Sequence, residues 1–215
     1  YYIHSGKQHG LEDTWEDINE IDYDLIICPD SASNDAEYAK ELEAQILVLD
    51  HHLTDVAAAP NMTVINNQLS PNYKNKYLSG AGVAYQFCRA MDSYFENDWA
   101  DDYVDLAALG ICGDMMSGLE VENQYLWKKG FKRPINYFFR VLFDKQSFSM
   151  NGQMTPISVA FYIVPLINAM VRVGTIEEKT RMFEAFIDGH RLIPSGKRGA
   201  KGTLEEIAVE SAREC

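Results

Sequence analysis

Two short, almost wholly apolar runs constrain the fold of this chain more than any other feature. DLIIC (24–28) and ILVL (46–49) are rich in aliphatic residues, and an aspartate follows each run within two residues. Between them, Ser33 and Asn34 are candidate caps for a predicted helix over 36–44. Continuous apolar strands joined by a helical crossover are typical of a parallel sheet that is buried on both faces. We therefore expect a βαβ unit.

The remainder of the chain changes from mixed to helical character. TVIN (63–66) predicts a third strand, and Ser79 is the candidate cap of a helix that ends at Tyr94. Beyond it the spacing predicts helices alone, over 100–112, 124–129, 134–145, 156–170 and 176–187. The expected class is α/β, with a parallel-sheet domain and its flanking helices over 1–123 and an all-helical extension over 124–215.

Three local features complete this outline. Pro134 is placed to occupy the first turn of its helix. The stretch 194–202, rich in Gly, Ser and Lys, is the best candidate for a mobile segment. The chain lacks an initiator methionine and its first residues resemble part of a strand, so we expect it to be a piece of a longer protein.

Length, hydrophobicity and cysteine spacing exclude several classes of protein. With 215 residues, 47% of them hydrophobic, the chain can bury a core and is not a disordered segment. No apolar run approaches the roughly 18 residues of a membrane span, so no membrane partner is expected. The cysteines show no CxxC spacing, which excludes a zinc finger and fits a cytoplasmic location. Cys28, Cys88 and Cys112 lie in apolar runs and are expected to be buried thiols.

Charge divides the chain into two parts of opposite sign. Residues 1–123 carry 5 basic against 23 acidic residues, whereas residues 124–215 carry 14 against 9. The second part contains two basic clusters, Lys128, Lys129, Lys132 and Arg133, and Arg191, Lys197, Arg198 and Lys201. Such clusters can follow a polyanion, although ordinary solvated faces have the same composition.

Metal-type ligands gather where the predicted strands end. Asp30 follows the first strand, and Asp50, His51 and His52 follow the second. The carboxyl ends of parallel strands meet at one edge of a sheet, where open α/β folds bind ligands. Asp114, after the apolar run LAALGIC, adds a third carboxylate. Oxygen and imidazole ligands together suit manganese, magnesium, iron or zinc.

Each of these residues also has an ordinary structural interpretation. Asp30 could cap the next helix, His51 and His52 could be solvated, and Asp114 could belong to a C-terminal turn. Gly80 and Gly82 open a predicted helix, where free amides can hold a phosphate or small residues can allow tight packing. The remaining histidines, His4, His9 and His190, have no neighbouring ligand pattern.

With Asp50, His51 and His52 in place, the sequence resembles the DHH phosphoesterase superfamily, in particular its RecJ-like branch of single-strand-specific exonucleases. The resemblance runs nearly end to end. It is carried by YYIHSGKQHGL (1–11), PDSAS (29–33), LDHH (49–52), LSGAGVAYQF (78–87), LGICGDMMSGLEVEN (109–123) and ISVAFYIVPLINAMVRVG (157–174). RecJ proteins also carry an upstream DxD motif and a C-terminal DHH-associated domain, which fall outside this sequence, so it resembles a core fragment.

The resemblance implies roles for individual residues. Asp30, His51 and Asp114 would be metal ligands, His52 would face the scissile phosphate, and Asp50 would orient a histidine. Phosphate contacts would come from Arg172 and Asn168 in the extension and from the amides of Gly80 and Gly82. The implied cofactors are two divalent ions, with manganese favoured and magnesium second.

The function implied is a metal-dependent 5′–3′ exonuclease that hydrolyses single-stranded DNA by a two-metal mechanism. One alternative keeps the chemistry and changes the substrate to short oligonucleotides, cyclic dinucleotides or pyrophosphate. Another is a scaffold that has lost catalysis and binds partners in a replication or repair assembly. The fragment itself is expected to be weakly active or inactive, because a two-metal site that loses ligands loses affinity.

Overall fold

The computed structural model describes residues 1–4, 10–187, 191–194 and 201–215. Several residues discussed above lie outside this part of the chain, namely His9, His190, Lys197, Arg198 and most of the stretch predicted to be mobile. Tyr1 to His4 form no regular structure, so the expectation of a strand there is wrong.

Three parallel strands form the sheet, as predicted. β1 (Leu25–Pro29), β2 (Gln45–Asp50) and β3 (Met62–Asn66) lie side by side in that order. Pro29 pairs with Leu49, and Asp50 pairs with Asn66, so the strands end in register. The C-terminal edge of the sheet therefore presents the residues that follow each strand next to one another.

Strand β2 is covered on both faces, whereas Leu25 and Ile27 of β1 are about half exposed, so the expectation that both apolar strands are buried on both faces is wrong for β1. Ile46 and Val48 of β2 pack with α1 (Trp15–Asn19) and α2 (Ala36–Ala39) in one core cluster. Leu49 points to the other face and packs under α3 (Gly80–Phe95) and α4 (Val104–Gly113). Burial of aliphatic residues on both sides is the main source of stability for such a layer.

The helix predicted over 36–44 ends at Ala39, five residues early. One amide group, Nδ2 of Asn61, donates hydrogen bonds to the carbonyls of Ala39, Leu42 and Ala44, at 2.8 to 3.0 Å. These carbonyls are therefore satisfied without a further helical turn. Neither candidate cap is used, because the N-cap residue is Asp35.

Ser79 caps α3 as predicted, through a hydrogen bond of 3.1 Å from the amide of Gly82 to its Oγ. A 3₁₀ turn (Ala100–Tyr103) then leads into α4. The two helices cross closely, since a Cβ placed on Gly110 would lie 2.5 Å from the Cβ of Ala81. This contact brings the end of α4 to the start of α3.

The extension contains more than the predicted helices. Its helices are α5 (Val121–Gly130), α6 (Tyr137–Gln146), α7 (Pro156–Tyr162), α8 (Val164–Val173), α9 (Ile176–Ile187) and α10 (Leu204–Glu214). β4 (Leu192–Pro194) and β5 (Lys201–Thr203) form an antiparallel pair, so an all-helical extension is wrong. Helix α10 begins with a capping box on Thr203, and this helix was not predicted from the sequence.

Two helix boundaries in the extension differ from the sequence prediction. Asn136 caps α6 through the amide of Phe139 at 3.0 Å, which leaves Pro134 outside the helix. The predicted helix over 156–170 is two helices that meet at Ile163, because Pro165 lies in the first turn of α8 and has no amide hydrogen to continue the ladder.

The predicted domain boundary, between residues 123 and 124, falls inside α5. The core of the extension includes Ala108, Leu109 and Cys112 of α4, so one helix serves both regions. Cys28 and Cys112 are buried as expected, and burial raises the pKa of their thiols to about 11 and about 12. Cys88 is exposed, contrary to expectation.

The segment Pro156–Val173 has 18 residues and a mean hydropathy of 1.6, so it is long and apolar enough to cross a membrane. The expectation that no apolar run reaches this length is therefore wrong. Only 22% of it is buried within the protein. Length and composition alone do not separate a bilayer span from a bent helix pair whose apolar side lies against protein.

Candidate metal centre

The side chains predicted to bind metal meet at the C-terminal edge of the sheet. Asp30 turns away from β1 with a positive φ of 60°, and its amide donates to the carbonyl of Leu49 at 2.8 Å. His51 follows β2 directly. Its Nε2 lies 3.2 Å from Oδ1 of Asp30 and 3.7 Å from Oδ2 of Asp114, the C-cap residue of α4. Groups from three separate segments thus meet around Nε2 of His51.

Asp50 holds the neighbouring histidine rather than joining this group. Its carboxylate is almost fully buried, and Oδ1 accepts hydrogen bonds from Nδ1 of His52 at 2.7 Å and from the amides of His51 and His52. Oδ2 accepts from the amide of Ser33 at 3.3 Å. A carboxylate that fixes a ring through Nδ1 determines its tautomer and directs Nε2 outward. One ligand atom of His52 lies within 4.8 Å of those of Asp30 and His51.

The electrostatics of the group favour a bound cation. Burial, followed by the charge of Asp30, raises the pKa of Asp114, although the Gly80 amide and the two histidines oppose this shift. Burial would lower the pKa of His51, but its hydrogen bond to Asp30 and the nearby carboxylates raise it. The pKa values of Asp114 and His51 are therefore both shifted toward binding a proton, and a divalent ion can supply the same positive charge.

For Asp50 the hydrogen bonds prevail over burial. Burial alone would raise the pKa of this carboxyl, but the hydrogen bonds from Ser33, His52 and the backbone lower it. The pKa of Asp50 is thus shifted in the opposite direction to that of Asp114, which suits its role as the acceptor for His52.

Gly80 and Gly82 lie in different environments. A Cβ on Gly80 would lie 2.1 Å from Oδ1 of Asp30, so only glycine allows the carboxylate this position. Gly82 packs on Leu78, 2.5 Å from its would-be Cβ, and its amide is taken by Ser79. Gly80 thus lies at the edge of the sheet that carries Asp30. At position 82, close packing against Leu78 explains why the residue is a glycine.

Asn66 is a site residue that the sequence reasoning missed. It is buried at the end of β3, and its Nδ2 donates to the carbonyl of His52 at 2.9 Å and to Oγ of Ser33 at 3.1 Å. It therefore holds the backbone of the histidine pair from the third strand. Its position after TVI, level with Asp50, is the signal that could have found it.

The predicted substrate residues of the extension both lie on α8. Asn168 lines a cleft between α8 and α4, and Arg172 is exposed one turn further along α8. Neither side chain has a hydrogen-bond partner among the residues that the structure describes, so both are available to a ligand.

The first basic cluster lies at the opposite end of α4 from Asp114. A Cβ on Gly130 would lie 2.8 Å from the carbonyl oxygen of Val104, which places the end of α5 beside the start of α4. Lys129 forms an ion pair with Asp101 there. Of the second cluster, the structure describes the side chain of Arg191 alone, which pairs with Glu184 at 2.5 Å.

Comparison with known proteins finds relatives over most of this chain. The model of the DHH family, N-terminal domain, matches residues 1–111. A Bacillus subtilis protein named SPbeta prophage-derived single-strand DNA-specific exonuclease YorK is 39% identical over 99% of this chain. Single-stranded-DNA-specific exonuclease RecJ of the same organism is 30% identical over 83% of it.

A solved structure has the same fold. The crystal structure of Thermus thermophilus RecJ in complex with Mn²⁺ matches 94% of the chain with a TM-score of 0.72 and 25% identity. The chain spans 37% of the length of YorK, 23% of B. subtilis RecJ and 28% of the crystallised protein.

Proposed function

The chain belongs to the DHH family, and we propose that it carries the metal centre of a RecJ-like exonuclease that hydrolyses single-stranded DNA. The observation that carries the proposal is that carboxylate oxygens of Asp30 and Asp114 both lie within 3.7 Å of Nε2 of His51. The named activity of the relatives supplies the substrate class.

The donor set fits a divalent ion. Two carboxylates and an imidazole are suitable for manganese or magnesium, and the glycine at position 80 leaves room for Asp30 at the same edge. In this proposal Asp30, His51 and Asp114 are ligands of a pair of divalent ions, with manganese favoured and magnesium second. T. thermophilus RecJ was crystallised with each of these ions. Bound divalent ions would activate a water and stabilise charge on the attacking and leaving oxygens of the phosphodiester.

His51 and His52 have different roles in this proposal. His51 binds through Nε2, so its ring proton resides on Nδ1. His52 donates from Nδ1 to Asp50, which keeps its other ring nitrogen directed at the position of the scissile phosphate. Asn66 holds the backbone of His52, so that the ring keeps this orientation when substrate enters.

The charge asymmetry supports a division of labour between the two regions. The acidic first region gathers cations, whereas the basic extension attracts the DNA backbone. Arg172 is exposed and is proposed to contact a phosphate. A cytoplasmic location, which the free thiols favour, belongs to the same proposal.

The test uses the full-length protein, MnCl₂ and end-labelled single strands. We expect progressive release of nucleotides from the 5′ end, and a bulky block at that end should stop digestion, whereas the same block at the 3′ end should not. His51→Ala and Asp114→Ala should abolish cleavage. Asp101→Ala, which removes an exposed carboxylate at the other end of α4, is the matched control and should cleave normally. Wild-type activity in both site variants would refute the proposal.

A further inference from the structure

We propose that the cleft between α4 and α8 binds a nucleobase of the strand whose phosphate lies at the metal centre. This inference rests on the proposed function and adds a subsite to it. The cleft has a volume of about 260 Å³. Its walls include Leu106, Leu109, Gly110 and Gly113 of α4, Asn168 of α8 and Phe186 of α9.

The position of the cleft connects it with the metal centre. Gly113 lines one end, and the next residue is the ligand Asp114. A Cβ on Gly113 would meet nothing within 4 Å, so the wall is open at this point. In a nucleotide, a single sugar separates the base from the phosphate. If the phosphate is held beside Asp114, the base is therefore close enough to enter the neighbouring cleft.

The chemistry of the walls suits a base and not a phosphate. Every lining residue except Asn168 is apolar or glycine, and no cationic side chain is among them. The volume lies below the roughly 300 to 1,000 Å³ of pockets for drug-sized ligands, which limits the occupant to a ring system. Flipped bases are commonly held between apolar or aromatic walls, with a few hydrogen bonds at the base edge.

Two further features prepare the cleft for a planar ring. Phe186 is held by an edge-on contact with Phe138, 4.6 Å between ring centroids, and its carbonyl accepts from Nδ2 of Asn136 at 2.8 Å. The amide of Asn168 offers both a donor and an acceptor, so it can pair with the edge of any base. Such a site binds all sequences, because every base has a π face.

The experiment measures both cleavage and base burial with the full-length protein. Oligonucleotides carry either a normal or an abasic nucleotide at the 5′ end, and a parallel set carries 2-aminopurine at that position with a non-hydrolysable linkage. For the wild type we expect about tenfold to hundredfold lower kcat/KM on the abasic strand. The 2-aminopurine fluorescence should change on binding.

Two variants of α8 and a matched control locate the effect. Ile167 is a further wall residue, so Ile167→Phe fills the cleft, whereas Asn168→Ala removes its polar group while leaving the volume. Ile167→Phe should remove most of the difference between normal and abasic strands and suppress the fluorescence change, and Asn168→Ala should reduce both. Val171→Phe adds bulk to an exposed position of α8 and should behave as wild type.

The inference and the proposed function fail in different ways. Equal cleavage of normal and abasic strands by the wild type, or an unchanged difference in Ile167→Phe, overturns the base site and leaves the exonuclease proposal intact. If neither strand is cleaved, the exonuclease proposal fails. The fluorescence on binding then decides the base site alone: a change lost in Ile167→Phe supports it, and no change refutes it.

Discussion

The two ends of α4 each carry a carboxylate with a raised pKa, and the two have opposite surroundings. Asp105 is fully buried, whereas about a third of the Asp114 side chain is exposed. Asp105, in the first turn, accepts hydrogen bonds from the amides of Ile135 and Asn136, both at 2.7 Å, and from that of Leu106 at 2.9 Å. Asp114, about 13 Å further along the axis, faces the carboxylate of Asp30 and two histidines.

The direction of the pKa shift does not separate these two aspartates. Burial is the largest cause of a raised pKa in both of them. What differs is the opposing group. Backbone amides satisfy Asp105 and make it a structural link to α6. Asp114 instead faces the carboxylate of Asp30, and in the proposed function a cation balances these two charges. A structural carboxylate and a ligand carboxylate are thus told apart by what faces them.

The largest expected effect is on activity, at the Asp114 end. Asp114→Ala should lower metal-dependent cleavage by about a thousandfold, since a lost ligand removes several kcal/mol of charge stabilisation at roughly 1.4 kcal/mol per tenfold. The metal-free variant should be at least as stable as the wild type, because one of two facing carboxylates is gone. Cleavage assays and urea denaturation in EDTA measure the two quantities. A large loss of stability would place Asp114 in the same class as Asp105.

The next effect is on stability, at the other end. Asp105→Ala leaves buried amides of the loop before α6 without an acceptor, which should lower the free energy of unfolding by about 2 to 4 kcal/mol. Metal affinity of the folded fraction should stay within about threefold of the wild type. Denaturant titration and metal titration below the melting temperature test this, and an unchanged midpoint would contradict the structural role.

The third effect is a pH dependence that should reverse when metal is added. The pKa of His51 is raised on folding, so without metal its contribution is complete below the unfolded value of about 6.5 and is lost as pH rises through the folded value. Metal competes with this proton, so Mn²⁺ affinity should increase by up to about tenfold per pH unit across the same window. Melting curves in EDTA and in MnCl₂ from about pH 6 to pH 8 measure both slopes. His51→Gln should lose both, and slopes that persist in it would assign them to other groups.

The smallest effect is expected for a third carboxylate near the start of α4. Asp101 accepts from Tyr85 at 2.8 Å and pairs with Lys129, but about half of its side chain is exposed. Lys129→Met should therefore change the free energy of unfolding by about 1 kcal/mol or less. Chemical denaturation at low and high salt measures it. A loss as large as that of Asp105→Ala would show that hydrogen bonding to a charge matters more here than burial.

Local patterns predicted the sheet and the place of the site well. The three apolar runs, the Ser79 cap and the position of acids after strands follow from short-range chemistry, and they predicted that Asp30 and His51 lie together. Asp114 follows a helix, and its place beside them was implied by the family resemblance. Asn66 could have been found by the same rule, because it ends β3 in register with Asp50. Pro165 likewise marked the break between α7 and α8.

The rest depended on partners far away in sequence. Helix α2 ends early because Nδ2 of Asn61, about twenty residues further along the chain, donates hydrogen bonds to the carbonyls of Ala39 and Leu42. Asp105 resembles any acid in a first helical turn until the loop at Ile135 folds against it, 30 residues later. The exposure of Cys88 follows from which face of α3 meets the sheet, and the apolar run around it did not reveal that.

The close crossing of α3 and α4 at Gly110 has a mechanical consequence. Only the methyl group of Ala81 lies between the two backbones at this point, so no flexible side chain absorbs a displacement and a push on the beginning of α3 is transmitted to the turn that carries Asp114. A larger residue at position 110 would act as a wedge and pull Asp114 away from Asp30, even though it touches neither carboxylate.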